Sequence, residues 1–176
     1  LIGLGAGLQA AVGAQFGIGS TEVISVQAGG LSAYGPPGSG AVNKLTTDDV
    51  DAIERLSSVK VAIPRILSSG KMEFNDIVTF GIAASVPDGE KRKVAYEILD
   101  SEVEVGRLLK DGDVNKVMFG YNFWGSEDIF GKAVVTGKTV LIQDENFIVV
   151  GIMKKTGSLI FDNVVMMNEA PLRDLM

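Results

Sequence analysis

At 176 residues, with 46% hydrophobic and 22% charged positions, the chain is one domain or two small subdomains with a real core, too apolar for large-scale disorder. Its net charge of −6 excludes the basic stripe of a nucleic-acid-binding surface and adhesion to an anionic membrane face. Histidine and cysteine are both absent, which excludes Ser-His-Asp and Cys-His chemistry, imidazole or thiolate metal sites, and disulfides.

Residues 1–16 are apolar and rich in small residues, with Leu1, Leu4, Leu8, Val12 and Phe16 at helical spacing. Glycines inside such a helix cost up to about 1 kcal/mol each, so packing or membrane context must support it. Gly17 and Gly19 end it, and residues 21–27 (TEVISVQ) alternate as a strand. The first residue is Leu and residues 1–18 carry no charge, so a piece of a longer protein is expected. No apolar run approaches the roughly 18 residues of a membrane span.

Residues 29–40 (GGLSAYGPPGSG) form a loop by composition. A helix follows over 46–56: Thr46 or Thr47 caps it, Asp48 and Asp49 complement its N-terminal dipole, and Val50, Ile53 and Leu56 share one apolar face. A strand is predicted over 59–67, broken by Pro64 at an edge or bulge. Residues 76–86 form a strand apolar on both faces, 89–99 a short helix with a basic start, and 102–109 an extended segment. Residues 117–119, 139–142 and 147–152 are β-rich apolar runs punctuated by Gly and Asp/Asn, and 121–130 (YNFWGSEDIF) is a short helical or looped insertion between strands. A last strand occupies 164–167, and 168–176 opens a helix.

Several motifs invite a catalytic or binding reading. Gly5, Gly7 and Ala10 match a dinucleotide turn, but only four residues precede Gly5, and Gln27 stands where an acid should close the next strand. A Gly-rich helix near a membrane explains them better, with Gly3 and Gly7 at a spacing that suits close helix packing. Gly137-Lys138-Thr139 resembles the end of a phosphate loop, yet the required first Gly falls on Lys132 and a strand follows instead of a helix. Arg107 and Asp113 read as a loop staple. Asp111, Asp113, Asp144 and Glu145 lack the order of a calcium loop and the apolar setting that a carboxylate hydrolase needs. No catalytic, cofactor or metal site is therefore expected. Phe119, Tyr121, Phe123 and Trp124 are core if buried and a partner-docking patch if exposed, since aromatics dominate interface hot spots.

The order of motifs resembles the extracytoplasmic core domain of MacB/FtsX-type ABC transporter permeases. It is carried by Gly106-Arg107-Leu109-Asp113, Val117-Gly120, Phe130-Gly131-Gly137-Lys138-Ile142 and Phe147-Val149-Val150-Gly151-Ile152. Further matches are Leu4 to Leu8 with Gln15-Phe16, the Leu45-Thr46-Thr47-Asp48-Asp49-Val50 helix with Ile53, and Val59 to Pro64. The loop 29–40 and the aromatic cluster depart from the pattern.

The resemblance implies an α+β, two-lobed fold: a porter-like βαβ lobe from 1–75 and 134–176, with a mainly-β, Sabre-like lobe inserted at 76–133. It implies a non-catalytic domain outside the membrane that couples cytoplasmic ATP hydrolysis to movement for export, lipoprotein release or partner regulation. The implied partners are a cytoplasmic ABC ATPase reached through transmembrane segments, a second permease copy, and an extracytoplasmic adaptor or cargo protein. A stand-alone cell-surface ligand-binding or adhesion domain is the alternative. A gene with one transmembrane helix before residue 1 and three after residue 176 would exclude it.

Overall fold

The computed structural model describes residues 23–28 and 43–176. The described chain runs α1 (Thr47–Glu54), β1 (Leu67–Phe74), β2 (Ile77–Val86), α2 (Gly89–Ile98), β3 (Val103–Gly106), β4 (Lys116–Phe119), α3 (Asn122–Gly125), β5 (Thr139–Ile142), β6 (Glu145–Met153), β7 (Val164–Asn168) and α4 (Glu169–Asp174). It is a mixed α/β architecture built on one strand-rich sheet, as the α+β reading expects.

Two hairpins organise that sheet. Asn75 and Asp76 between β1 and β2 have φ of 52° and 59°, and Gln143 and Asp144 between β5 and β6 have φ of 51° and 67°. Two consecutive left-handed residues make the tight turn whose twist matches its flanking strands, and Asn and Asp tolerate that conformation. The strands are ordered β3-β6-β4-β7-β2-β1-β5, and β5 also pairs with β6. Six strands therefore close into a ring, and β3 extends it from β6. Closure leaves few open edges for another chain to pair with.

Strand alternation sorts the core into two clusters. Val117 and Phe119 of β4 and Val165 and Met167 of β7 point into the ring with Phe130, Val149, Ile152 and Leu172. Met118, Val164 and Met166 point out and are covered by Leu109, Phe161 and the α2 side, where Tyr96 and Leu99 pack. β4 and β7 are thus buried on both faces, which explains their unbroken apolar runs. Full burial of each such side chain contributes about 1.5–3 kcal/mol.

Two expected strands are corrected. Residues 59–66 have no regular structure, and the strand lies later, at Leu67–Phe74. The segment of 21–27 that is described has no regular structure either: Ile24 is 86% and Val26 55% exposed. Alternation makes these segments competent for a strand, but the ladder stops short of them: Ile66 meets β2 at Ser85, accepting from its N–H at 2.9 Å and donating to its Oγ at 2.8 Å, and no described strand pairing extends to residues 59–65 or 23–27. The readings of 1–16, of the Gly5 turn and of the loop 29–40 fall outside the described residues.

The helix expected at 46–56 is α1, opened by Thr46, whose N–H and Oγ1 both donate to the Asp49 carboxylate at 2.7 and 2.9 Å. The sheet also crosses residues 75/76 and 133/134: β2 pairs with β1 along its length, and β4 lies between β6 and β7.

Candidate functional site: an aromatic corner on a stapled barrel

At Gly120 the chain leaves β4 and changes from strand to helical spacing. Its N–H donates to the Val164 carbonyl at 2.8 Å, and a Cβ here would lie 2.5 Å from the Phe161 carbonyl oxygen. Only glycine lets the two backbones meet so closely. The next residues wind into α3, with the N–H of Gly125 donating to the Tyr121 carbonyl at 2.8 Å.

That winding divides the four aromatic candidates. Phe119 and Phe123 are 0% and 3% exposed and meet edge to face at 4.9 Å, with Phe123 stacked on Phe130 at 6.0 Å. These two rings are core, a correction to their reading as docking residues. Tyr121 and Trp124, three residues apart on the other side of the turn, are half-buried and meet edge to face at 5.5 Å. Lys155 Nζ sits 5.6 Å from the centre of the Tyr121 ring, a cation–π contact.

Residues 154–163 frame the corner. Asp162, only 3% exposed, accepts from the Thr156 N–H and Oγ1, both at 2.9 Å, and from the Gly157 N–H at 2.8 Å. Asn122 Nδ2 donates to Asn163 Oδ1 at 3.2 Å, tying this loop to α3. Leu159, 71% exposed, is carried at the loop's outer part. Neither Lys155 nor Asp162 was picked out by sequence reasoning. Their partners lie 34 residues upstream for Lys155 (Tyr121 to 155) and within a turn whose sole local sign is Thr156-Gly157-Ser158.

Of the acids Asp111, Asp113, Asp144 and Glu145, two, Asp111 and Asp113, are held in their ionised form. Asp113 is 4% exposed and accepts from Arg107 Nη1 and Nη2 at 2.7 and 3.1 Å, the Lys110 N–H at 2.9 Å and Lys116 Nζ at 2.8 Å. The Arg107 guanidinium above all holds its carboxyl well below the usual carboxylate range, and Asp113 in turn raises Arg107. Asp111 is lowered chiefly by the Gly89 N–H at the start of α2. A lowered acid is a poor proton donor at neutral pH, so these groups supply charge and hydrogen bonds to the fold. Asp144, at the tip of the β5–β6 hairpin, pairs with Lys71 in the middle of β1. Asn168, capping α4, donates to the carbonyls of Lys110 and Asp113 and fastens the last helix to the same turn.

Lys138 and the left-handed Gly137 (φ 81°) form a turn that leads directly into β5. Among the described residues, no group of three or more Asp or Glu could hold a metal ion, and no helix is long and apolar enough to cross a membrane.

A family model described as the MacB-like periplasmic core domain matches residues 1–176. The macrolide export ATP-binding/permease protein MacB of Neisseria gonorrhoeae is 27% identical over 180 residues, which is 100% of this chain and 27% of that protein. An uncharacterized ABC transporter permease of Methanocaldococcus jannaschii is 25% identical over 170 residues, 96% of this chain and 40% of that one. The chain thus spans about a quarter to two fifths of the length of these relatives. Among solved structures, the extracellular domain of the noncanonic ABC-type transporter YknZ from Gram-positive bacteria aligns with a TM-score of 0.56 at 17% identity, covering 74% of this chain and 65% of that one. The periplasmic region of MacB from Actinobacillus actinomycetemcomitans aligns with a TM-score of 0.54 at 18% identity, covering 76% and 59%. Both share the fold.

Proposed function

We propose, because this chain belongs to the MacB-like periplasmic core domain family, that it works as the rigid, partner-docking part of an ABC transporter permease. Its place in such a permease, outside the cytoplasm, follows from the family; the work it does there is the proposal. ATP hydrolysis on a cytoplasmic ATPase would move the permease's transmembrane helices, and this domain would carry that movement to an adaptor or cargo protein. A permease dimer belongs to the same reading. Export, as named for the Neisseria relative, is the favoured outcome among export, lipoprotein release and partner regulation.

The observation that carries the reading is the family match across the whole chain, together with a closed ring of strands to which the buried Asp113 fastens the 107–116 turn. Tyr121 and Trp124 are the proposed docking residues. The two-lobed division, 1–75 with 134–176 against 76–133, enters here as a proposal carried by the family resemblance. One sheet runs through both segments, so calorimetry decides it: two transitions would support separate lobes, one cooperative transition a single body.

The coupling role is tested in the full-length permease with its ATPase. Replacing this domain by a short flexible linker is expected to leave ATP hydrolysis measurable and to abolish coupled transport. Transport that persists without the domain would refute it.

A further inference from the structure

We infer that Asn168 is a two-position latch. In one position its side chain fastens the β7–α4 corner to the 107–116 turn; in the other it caps α4 and lets the turn go. The latch is a conformational device of the fold and does not depend on the docking residues proposed above.

Asn168 is 4% exposed and ends β7, where parallel pairing with Val86 holds its backbone. Its Nδ2 donates to the Lys110 carbonyl at 2.9 Å and to the Asp113 carbonyl at 3.1 Å. Two carbonyl oxygens fix the orientation of the amide, because only its nitrogen can meet them, and Oδ1 is turned away. That oxygen is buried, and among the described residues no group donates to it. A buried acceptor without a donor carries its full desolvation cost, so the fastened position is stabilised less than its two hydrogen bonds suggest.

The same side chain has a second use. Asn168 stands at the cap position of α4 with φ −63° and ψ 155°, the extended conformation from which asparagine ordinarily accepts from an N–H of the first turn, yet it makes no such bond. A cap reaches the second or third helical residue, and the third is Pro171, which has no N–H. Ala170 is left as the donor. Rotating the side chain about a fixed backbone turns Oδ1 toward that N–H and withdraws Nδ2 from the turn. The Lys110 carbonyl then keeps the Asp113 N–H, at 3.2 Å, and the exposed residues 110–112 leave the turn in reach of water. Each position satisfies groups that the other leaves unmet, which is what a two-state element requires.

The pieces on either side keep their shape in both positions. α4 carries its own ion pair, Arg173 Nε and Nη2 to Glu169 at 3.0 and 2.7 Å. The turn is stapled through Asp113 to Arg107 and Lys116, and Asp111 accepts from the Gly89 N–H at 3.1 Å. Leu172 and Leu175 border a cavity of about 20 Å³ against Gly70, Met72 and Gly81, so α4 is not filled in beneath and has room to tilt. Within the coupling role proposed above, such a joint would let α4 change its angle while the closed sheet keeps its pairing.

Asn168→Ser and Asn168→Ala separate the two uses, since serine still caps α4 but cannot reach the turn, and alanine does neither. Amide exchange is followed by NMR on the full chain, with the Val149 N–H, bonded to Lys138 within the sheet, as the control for folding. In the serine variant the Asp113 amide is expected to exchange about tenfold faster than in wild type, with the Leu175 amide of α4 unchanged. In the alanine variant both are expected to exchange about tenfold faster. Wild type gives a reading that needs no variant: the Asn168 side-chain amide protons are expected to exchange at least about tenfold faster than the Val149 amide, at a rate insensitive to low urea, as for a local opening. Equal acceleration of Leu175 in the serine and alanine variants would overturn the inference. So would Asn168 amide protons that exchange only with global unfolding.

Discussion

Asp113→Asn isolates the staple that joins the 107–116 turn to the rest of the barrel. The substitution keeps the shape of the side chain and removes its charge from a position 4% exposed. Removing one partner of a fully buried ion pair costs about 3–5 kcal/mol. Here the freed Arg107 and Lys116 side chains are 36% and 39% exposed and can rehydrate, so a loss of about 2 kcal/mol is expected at pH 7. For a domain of this length that is a fall in melting temperature of about 4–8 °C.

The pH dependence gives a second, independent reading. The folded carboxyl is held well below its unfolded value, so its stabilisation is fully present above the unfolded value of about 4 and is lost as pH falls toward the folded one. The gap between wild type and variant in urea denaturation is therefore expected to narrow by about 1 kcal/mol between pH 7 and pH 3. A loss below about 0.5 kcal/mol at pH 7, or a gap that stays constant down to pH 3, would refute the reasoning.

Three further substitutions probe the aromatic corner. Phe119→Ala removes a ring that is 0% exposed and is expected to cost about 3–5 kcal/mol in chemical denaturation. Trp124→Ala is expected to cost less because its ring packs against the edge of the core and is only partly buried; equal costs would make both rings core. Gly120→Ala places a methyl group 2.5 Å from the Phe161 carbonyl and is expected to destabilise by several kcal/mol and expose the Thr156 and Gly157 amides to hydrogen exchange. Unchanged protection of those amides would show that the close approach does not seat the loop.

Much of the fold was legible where local chemistry and tertiary demand agree. The capped α1, the strands at β2, β5, β6 and β7, and the turn before β5 all carry their signals in adjacent residues. The miss at β1 has a plain physical cause. Leu-Ser-Ser-Gly-Lys-Met-Glu-Phe contains no β-branched residue, and Gly70 and Lys71 interrupt any apolar alternation. Pairing with β2 across the Asn75-Asp76 turn imposes the strand there, in register from Leu67 with Ala84 to Phe74 with Ile77. Residues 59–65 alternate better but lie beyond the ladder, which reaches back to Ile66 at Ser85, and alternation without a neighbour leaves half the backbone hydrogen bonds to water.

The aromatic corner shows why a site can be half-legible. Phe119, Tyr121 and Phe123 are spaced by two, which in a continuing strand would put all three rings on one face and make them core or surface together. The strand stops at Gly120 because residues 161–162 press on its backbone, a contact between segments some forty positions apart that no local pattern announces. From there the spacing becomes helical, so Phe119 meets Phe123 inside while Tyr121 meets Trp124 at the surface. One backbone contact thus decides which rings are buried in the barrel and which stay partly exposed. It follows that a substitution at Gly120, which alters no aromatic residue, should disturb core packing and partner binding together, whereas Trp124→Ala should separate them.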